Sequence, residues 1–189
     1  MDACRLVALA EPGSTTERAS GGVPADVSAI AEVLDQVIAS RLDRSGGGVR
    51  WGIGVGRDDA SATARAALAM RTARERGSWL ELATGDPWRD ALLADLVPPL
   101  AALLDDLTPR QAQIAARVLV DGARQAEVAA ALGVSRATVS VAVARGRLPA
   151  IAGARRAIAS ILAGPPAMTP DGGDGRDAGI GAAAAAQRR

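Results

Sequence analysis

The sequence predicts a mostly helical α+β protein, with a small N-terminal sheet domain of βαβ (ferredoxin-like) type ahead of an all-α domain built on a helix-turn-helix. Three observations carry that expectation. Apolar residues recur at helical spacing over most of the chain. The run 49–56 (VRWGIGVG) alternates large and small residues with the period of a strand. Residues 125–145 are spaced as two short helices joined at a glycine. The expected divisions are an α/β domain over 1–86, a helical linker over 87–106, the helix-turn-helix domain over 107–163 and a disordered tail over 164–189. In that tail Pro, Gly, Asp and Ala dominate.

Composition narrows the chemistry. Hydrophobic residues make up 49% of the 189, but much of this is alanine, which favours helix and buries little area per residue. There is no His and every basic residue is Arg. Ser-His-Asp catalysis, His-ligated metals and the lysine of a phosphate-binding P-loop are thereby excluded. The single cysteine, Cys4, can form neither an internal disulfide nor a cysteine metal cluster. No catalytic residue, metal ligand or cofactor is assigned. With no apolar run long enough to span a bilayer and no clear signal peptide, the expected location is the cytoplasm, with no membrane partner.

The net charge of +1 conceals an asymmetry. Residues 1–106 hold eleven Arg against sixteen acids, whereas 107–156 hold eight Arg against only Asp121 and Glu127. A surface that neutralises backbone phosphates needs that segregation. The plainer alternative is that alanine-rich helices collect Arg simply as a solubilising residue.

Taken in order, 4–10 (CRLVALA) predicts a buried strand and 11–24 a loop by composition. Val27, Ile30, Leu34, Val37, Ile38 and Leu42 then mark an amphipathic helix capped by Asp26. A glycine-rich break at 45–48 leads into the alternating strand. Val49, Trp51, Ile53 and Val55 share its bulky face, opposite Arg50, Gly52 and Gly54. A face so nearly bare predicts close approach by another element or a ligand. The glycines do not follow G-x-G-x-x-G, which argues against a dinucleotide site. Asp58 or Asp59 can cap an alanine-rich helix ending at Arg76 and Gly77, and 78–83 (SWLELA) predicts a return strand. After a turn at 84–87, the amphipathic stretch 88–104 is interrupted by Pro98 and Pro99, which predicts two short helices. Trp51, Trp79 and Trp88 are expected as core anchors.

The strand RWGIGVG, the capped helix ARAALAMRTARERG and the return strand resemble the C-terminal part of GGDEF and nucleotide cyclase-like domains, and SatD-family proteins. In the last, such a sheet domain precedes a C-terminal helix-turn-helix. The resemblance implies that 1–86 is a degenerate cyclase-like domain, because no GG[DE][DE]F loop and no acidic N-terminal strand is present.

The second half opens with Thr108 as N-cap, Pro109 at the first helical position and Gln111 completing a capping box. Ile114, Val118 and Leu119 supply the buried face, and Asp121-Gly122 ends the helix. Val128, Ala129 and Leu132 then give the next helix its apolar face, Gly133 turns the chain, Val134 fills the gap and Ser135 caps the helix that follows. That helix points Val139, Val143 and Ala142 inward and Arg136, Ala137, Ser140, Ala144 and Arg145 outward. A capped LTPRQ opening followed by a two-helix motif resembles LuxR-type and sigma-factor region 4 domains. Beyond Arg147, Pro149 begins a last helix through Leu162, with Ile151, Ala154, Ile158, Ile161 and Leu162 near one face. This helix either packs within the chain or pairs with a second copy.

The expected function is that of a DNA-binding bacterial transcriptional regulator and not an enzyme, with 135–145 in the major groove. Arg136 and Ser140 are the candidates for base contacts, an Arg there being able to pair both acceptors of a guanine edge. Arg124, Arg145 and Arg147 would contact phosphates, Thr138 a phosphate or the cap, and Gln125, Ser135 and Ala137 complete the surface. The partner is double-stranded DNA. A homodimer would read paired half-sites, and RNA polymerase is the partner that the sigma-factor likeness implies. An enzyme would instead need metal-binding carboxylates at strand ends, where Asp58 and Asp59 stand. The short side chains on the outward face predict sparse base readout and modest specificity.

Overall fold

The computed structural model describes residues 4–11, 17–43 and 48–164, with the backbone alone for 17–21. The order of elements is β1 (Arg5–Glu11), β2 (Glu17–Pro24), α1 (Val27–Leu42), β3 (Arg50–Gly56), α2 (Asp59–Arg76), β4 (Leu80–Ala83) and α3 (Pro87–Asp105). There follow α4 (Pro109–Ala115), continued by a π-helical turn at Ala116–Val120, then α5 (Gln125–Leu132), α6 (Arg136–Arg145) and α7 (Leu148–Ala163). The strands form one sheet in the order β2-β1-β3-β4, with β4 parallel to β3 and the other pairs antiparallel. The protein is a mostly helical α+β fold, as the periodicity predicts.

The parallel pair β3–β4 requires a crossover, and α2 supplies it by lying on the glycine face of β3. A Cβ on Gly52 would stand 2.6 Å from the Ala66 carbonyl oxygen, one on Gly54 2.2 Å from that of Ala62, and one on Gly56 2.4 Å from the Ala62 nitrogen. Only glycine admits a helix backbone so close. The helix answers with its own small side chains, burying Ala62, Ala66, Ala69 and Ala73 beside Met70. The bare face is therefore filled by a helix. On the opposite face Trp51, Ile53 and Val55 join Leu6 and Ala8 of β1 in the main core with Ile30, Leu34 and Val37 of α1. Asp26 caps α1 by accepting from the Ala29 amide at 2.9 Å.

Four expectations are corrected. Residues 17–24 form a strand where composition predicts loop. Its register against β1 is broken between Leu6 and Ala8 and again between Ala8 and Leu9, so this is a bulged edge strand whose glycines hide its period. Because β2 follows β1 directly and β4 lies beside β3, the two βαβ units, β2–α1–β3 split around β1 and β3–α2–β4, share β3, and the interleaved βαβ pair of a ferredoxin-like sheet is not formed. Residues 87–105 form one helix through Pro98 and Pro99. Leu93, Val97, Leu100 and Leu104 fall on one face at helical spacing and all bury, so a single apolar stripe offsets the lost backbone bonds. Trp88 is 70% exposed and is no core anchor. It lies nine positions before Val97, about half a turn round α3 from the buried stripe. Val27, on the first turn of α1, is likewise exposed at 57%.

The other tryptophans sit as expected. Trp51 is buried and donates from Nε1 to Ser40 Oγ at 2.7 Å, and Trp79 packs partly buried against the core with the Arg41 guanidinium 5.5 Å above its ring. The expected break at 45–48 falls mostly, and the expected tail after Gly164 wholly, outside the described residues.

The sheet and the helical half share one continuous core running from Leu6 to Leu162. Helix α7 joins them, packing on both α1 and α3. Arg89 of α3 donates to the carbonyls of Ile161 and Leu162 at the end of α7. Arg155 of α7 pairs with Asp35 of α1 and donates to the Leu119 carbonyl at 3.1 Å. The last helix thus buries its apolar face within its own chain. Among the described residues no single helix is long and apolar enough to cross a membrane.

Candidate nucleic-acid interface

The helix-turn-helix is assembled from local signals that each do an identifiable job. Thr108 caps α4, its hydroxyl accepting from the Gln111 amide at 3.3 Å while Gln111 Oε1 accepts from the Thr108 amide at 2.8 Å. That reciprocal box fixes the scaffold helix. Helix α5 ends at Gly133, whose φ of 63° is left-handed. The Gly133 and Val134 amides bond back to the carbonyls of Ala130 and Ala129 at 3.3 and 3.0 Å, closing the helix with a Schellman turn. Arg110 reaches across from α4 to donate to the Leu132 carbonyl at 2.9 Å. One residue after Val134, the Ser135 hydroxyl accepts from the Thr138 amide at 3.1 Å and starts α6.

The three-residue turn 133–135 changes the chain direction by 112° between α5 and α6. That value lies within the range of DNA-binding helix-turn-helix units. Val128 and Val139 are fully buried where the two helices meet, and Ala129 is nearly so. The small side chain at Ala129 lets the helices cross closely. Leu132, Val134, Ala142 and Val143 pack around them, half-buried.

The candidate contact residues are placed as follows. Arg124 is the exposed N-cap residue of α5, and its amide is held by Glu127 Oε2 at 2.8 Å. Gln125, the first residue of α5, is half-buried. Ser135, Arg136, Ala137, Thr138, Ser140, Arg145 and Arg147 are all exposed. The Ser135 hydroxyl is committed to the cap and lies 2.9 Å from the Thr138 hydroxyl. Arg147 stands between α6 and α7 in a left-handed conformation, φ 51°. Arg136 and Arg145 border the exposed arc of α6 from opposite sides, about 14 Å apart along the axis. Ala137, Ser140, Val141 and Ala144 lie between them.

Six of the eight arginines in 107–156 fall into two groups. Arg110 and Arg155 are consumed internally, by the α5 carbonyl and by Asp35. Arg124, Arg136, Arg145 and Arg147 form no ion pair with any described residue and hold their charge in solvent. Sequence reasoning names the four solvent-facing arginines as contacts but counts Arg110 and Arg155 in the same basic surface, because an arginine that ties two helices looks the same in sequence as one that faces water. It also passed over Val141, which is 50% exposed at the centre of the α6 face. The signal was present, since Val141 stands two positions from inward-facing Val139.

At the strand ends, Asp58 caps α2. Its carboxylate accepts from the Ser61 amide at 2.7 Å, and Ser61 Oγ accepts from the Asp58 amide at 3.2 Å. The Ser61 amide first, and the Ser61 side chain second, hold the Asp58 carboxyl below the usual carboxylate range. Asp59 pairs with Arg5 at 2.8 Å.

With this geometry in place, the comparison with known families falls on the same span. Residues 100–157 match a repressor family. Its model is described as KORA, the TrfB plasmid transcriptional repressor, and the match runs from the last turns of α3 through the helix-turn-helix into α7. No curated protein and no solved structure matches the chain. The likeness is to a transcriptional repressor and supports a DNA-binding regulator.

Proposed function

We propose that this protein is a transcriptional regulator that binds double-stranded DNA with α6 in the major groove and α5 across the backbone. The observation that carries the reading is the pair α5–α6, turned through 112° at a left-handed glycine, with an uncovered α6 face bordered by Arg136 and Arg145. In this arrangement Arg136 and Ser140, near the start of α6, reach base edges, and Arg136 suits the paired acceptors of guanine. Arg124, Arg145 and Arg147 contact phosphates and set register, with Gln125, Ala137 and Thr138 alongside. The repressor family matched over 100–157 favours repression as the outcome.

Footprinting of genomic DNA bound by the full chain tests this. A protected site of one helical turn, or two half-sites about 10 bp apart in the case of a homodimer, is the expected result. No protection at any site, with the protein instead retained on RNA polymerase, would overturn it in favour of a polymerase-bound module.

A further inference from the structure

Val141 is one of four large apolar side chains exposed among the described residues, with Val27, Leu68 and Trp88, and of these it alone lies in the helix-turn-helix. It stands about 200° round α6 from buried Val139, at the middle of the outward arc. The neighbours on that arc, Ala137, Ser140 and Ala144, are short. Between the two bordering arginines, the valine methyls therefore stand out furthest from α6. Valine does little for α6 itself, since a β-branched residue is a poorer helix former than the alanine that fills so much of this chain. The base edges of the major groove offer one apolar group, the C5-methyl of thymine.

We infer that Val141 reads a thymine methyl, while Ala137 and Ala144 admit the groove edge close to the helix. The preferred site then carries a thymine opposite the middle of α6, in addition to the base read by Arg136. This inference rests on α6 entering the major groove, and it assigns specificity to an apolar contact where the charged residues supply mostly register.

The test begins by selecting duplexes from a random-sequence pool with the full-length protein. Each thymine of the selected duplex is then replaced by deoxyuridine, which removes only the methyl, and binding is measured for the wild type and for Val141→Ala. At one thymine the replacement should weaken wild-type binding about fourfold, the worth of one buried methyl. The same replacement should leave Val141→Ala binding unchanged. Alanine is at least as good a helix former, so the variant keeps its fold. Wild-type binding indifferent to every replacement, or an equal loss in the variant, overturns the inference while leaving DNA binding intact. A pool that yields no enriched duplex overturns the major-groove reading and this inference with it.

Discussion

Substituting Gly54 by alanine tests the packing that seats α2 on the sheet. The added Cβ would stand 2.2 Å from the Ala62 carbonyl oxygen and 2.3 Å from the Ala66 nitrogen, both backbone atoms of α2. No rotamer change relieves contact with backbone, so α2 must lift by about 1 Å to restore van der Waals distance, opening the Ala62–Ala66 contact along its length. Overpacking of this kind costs about 3 kcal/mol, which for a chain of this size lowers Tm by roughly 6–12 °C. Gly153 in α7 provides the control. A Cβ there meets nothing within 4 Å, and Gly153→Ala should raise stability by about 0.5–1 kcal/mol through helix propensity. Thermal unfolding would be followed by far-UV circular dichroism and by tryptophan fluorescence. Because the core runs unbroken from the sheet to α7, both probes should report one coincident transition in each variant. A Gly54→Ala protein that melts with the wild type would refute the seating of α2 on β3. Separate transitions for the two probes would refute the shared core.

Two further perturbations follow from single side chains. Ser135→Ala removes the α6 cap and should cost about 1 kcal/mol; urea unfolding measures the loss, and an unchanged midpoint would mean that the Ser135–Thr138 bond does not hold the start of α6. Glu11 is buried where Arg74 and Arg50 converge on its carboxylate at 2.7 and 2.9 Å, and these contacts, Arg74 first, hold its carboxyl below the ordinary value of 4.5. A depressed carboxylate stabilises the fold above its unfolded value and loses that contribution as pH falls through the folded one. Glu11→Gln should therefore lower Tm at neutral pH, and the gap to the wild type should narrow steadily below about pH 4.5; a gap independent of pH would dissociate Glu11 from its two arginines.

The features legible in the sequence are those whose cause is local. Asp26, Asp58, Thr108 and Ser135 cap the helices they precede because capping depends on residues only three apart. The glycine alternation of β3 foretold close approach, although choosing between helix and ligand required the fold. What escaped depends on distant partners. The strand β2 is specified by pairing with β1 more than by its own composition, and α3 runs through two prolines because its buried stripe continues on either side of them. Trp88 fails as a core residue because no described residue covers its face, a fact that hydrophobicity alone does not carry. In the interface, the cap, turn and inward residues of α5 and α6 were readable. The internal roles of Arg110 and Arg155, which the charge count took for surface, were not.

The most direct test of the central claim compares Arg136→Ala with Arg147→Ala for affinity to the selected duplex, to variants of it and to unrelated DNA, across a range of salt. If α6 reads the major groove, Arg136→Ala weakens the preferred site by about 1–3 kcal/mol and relaxes the preference at one base pair. Arg147→Ala should weaken all sequences alike and reduce the salt slope by about 1. Two variants that bind every duplex with wild-type affinity and salt dependence would contradict the placement of α6 on DNA.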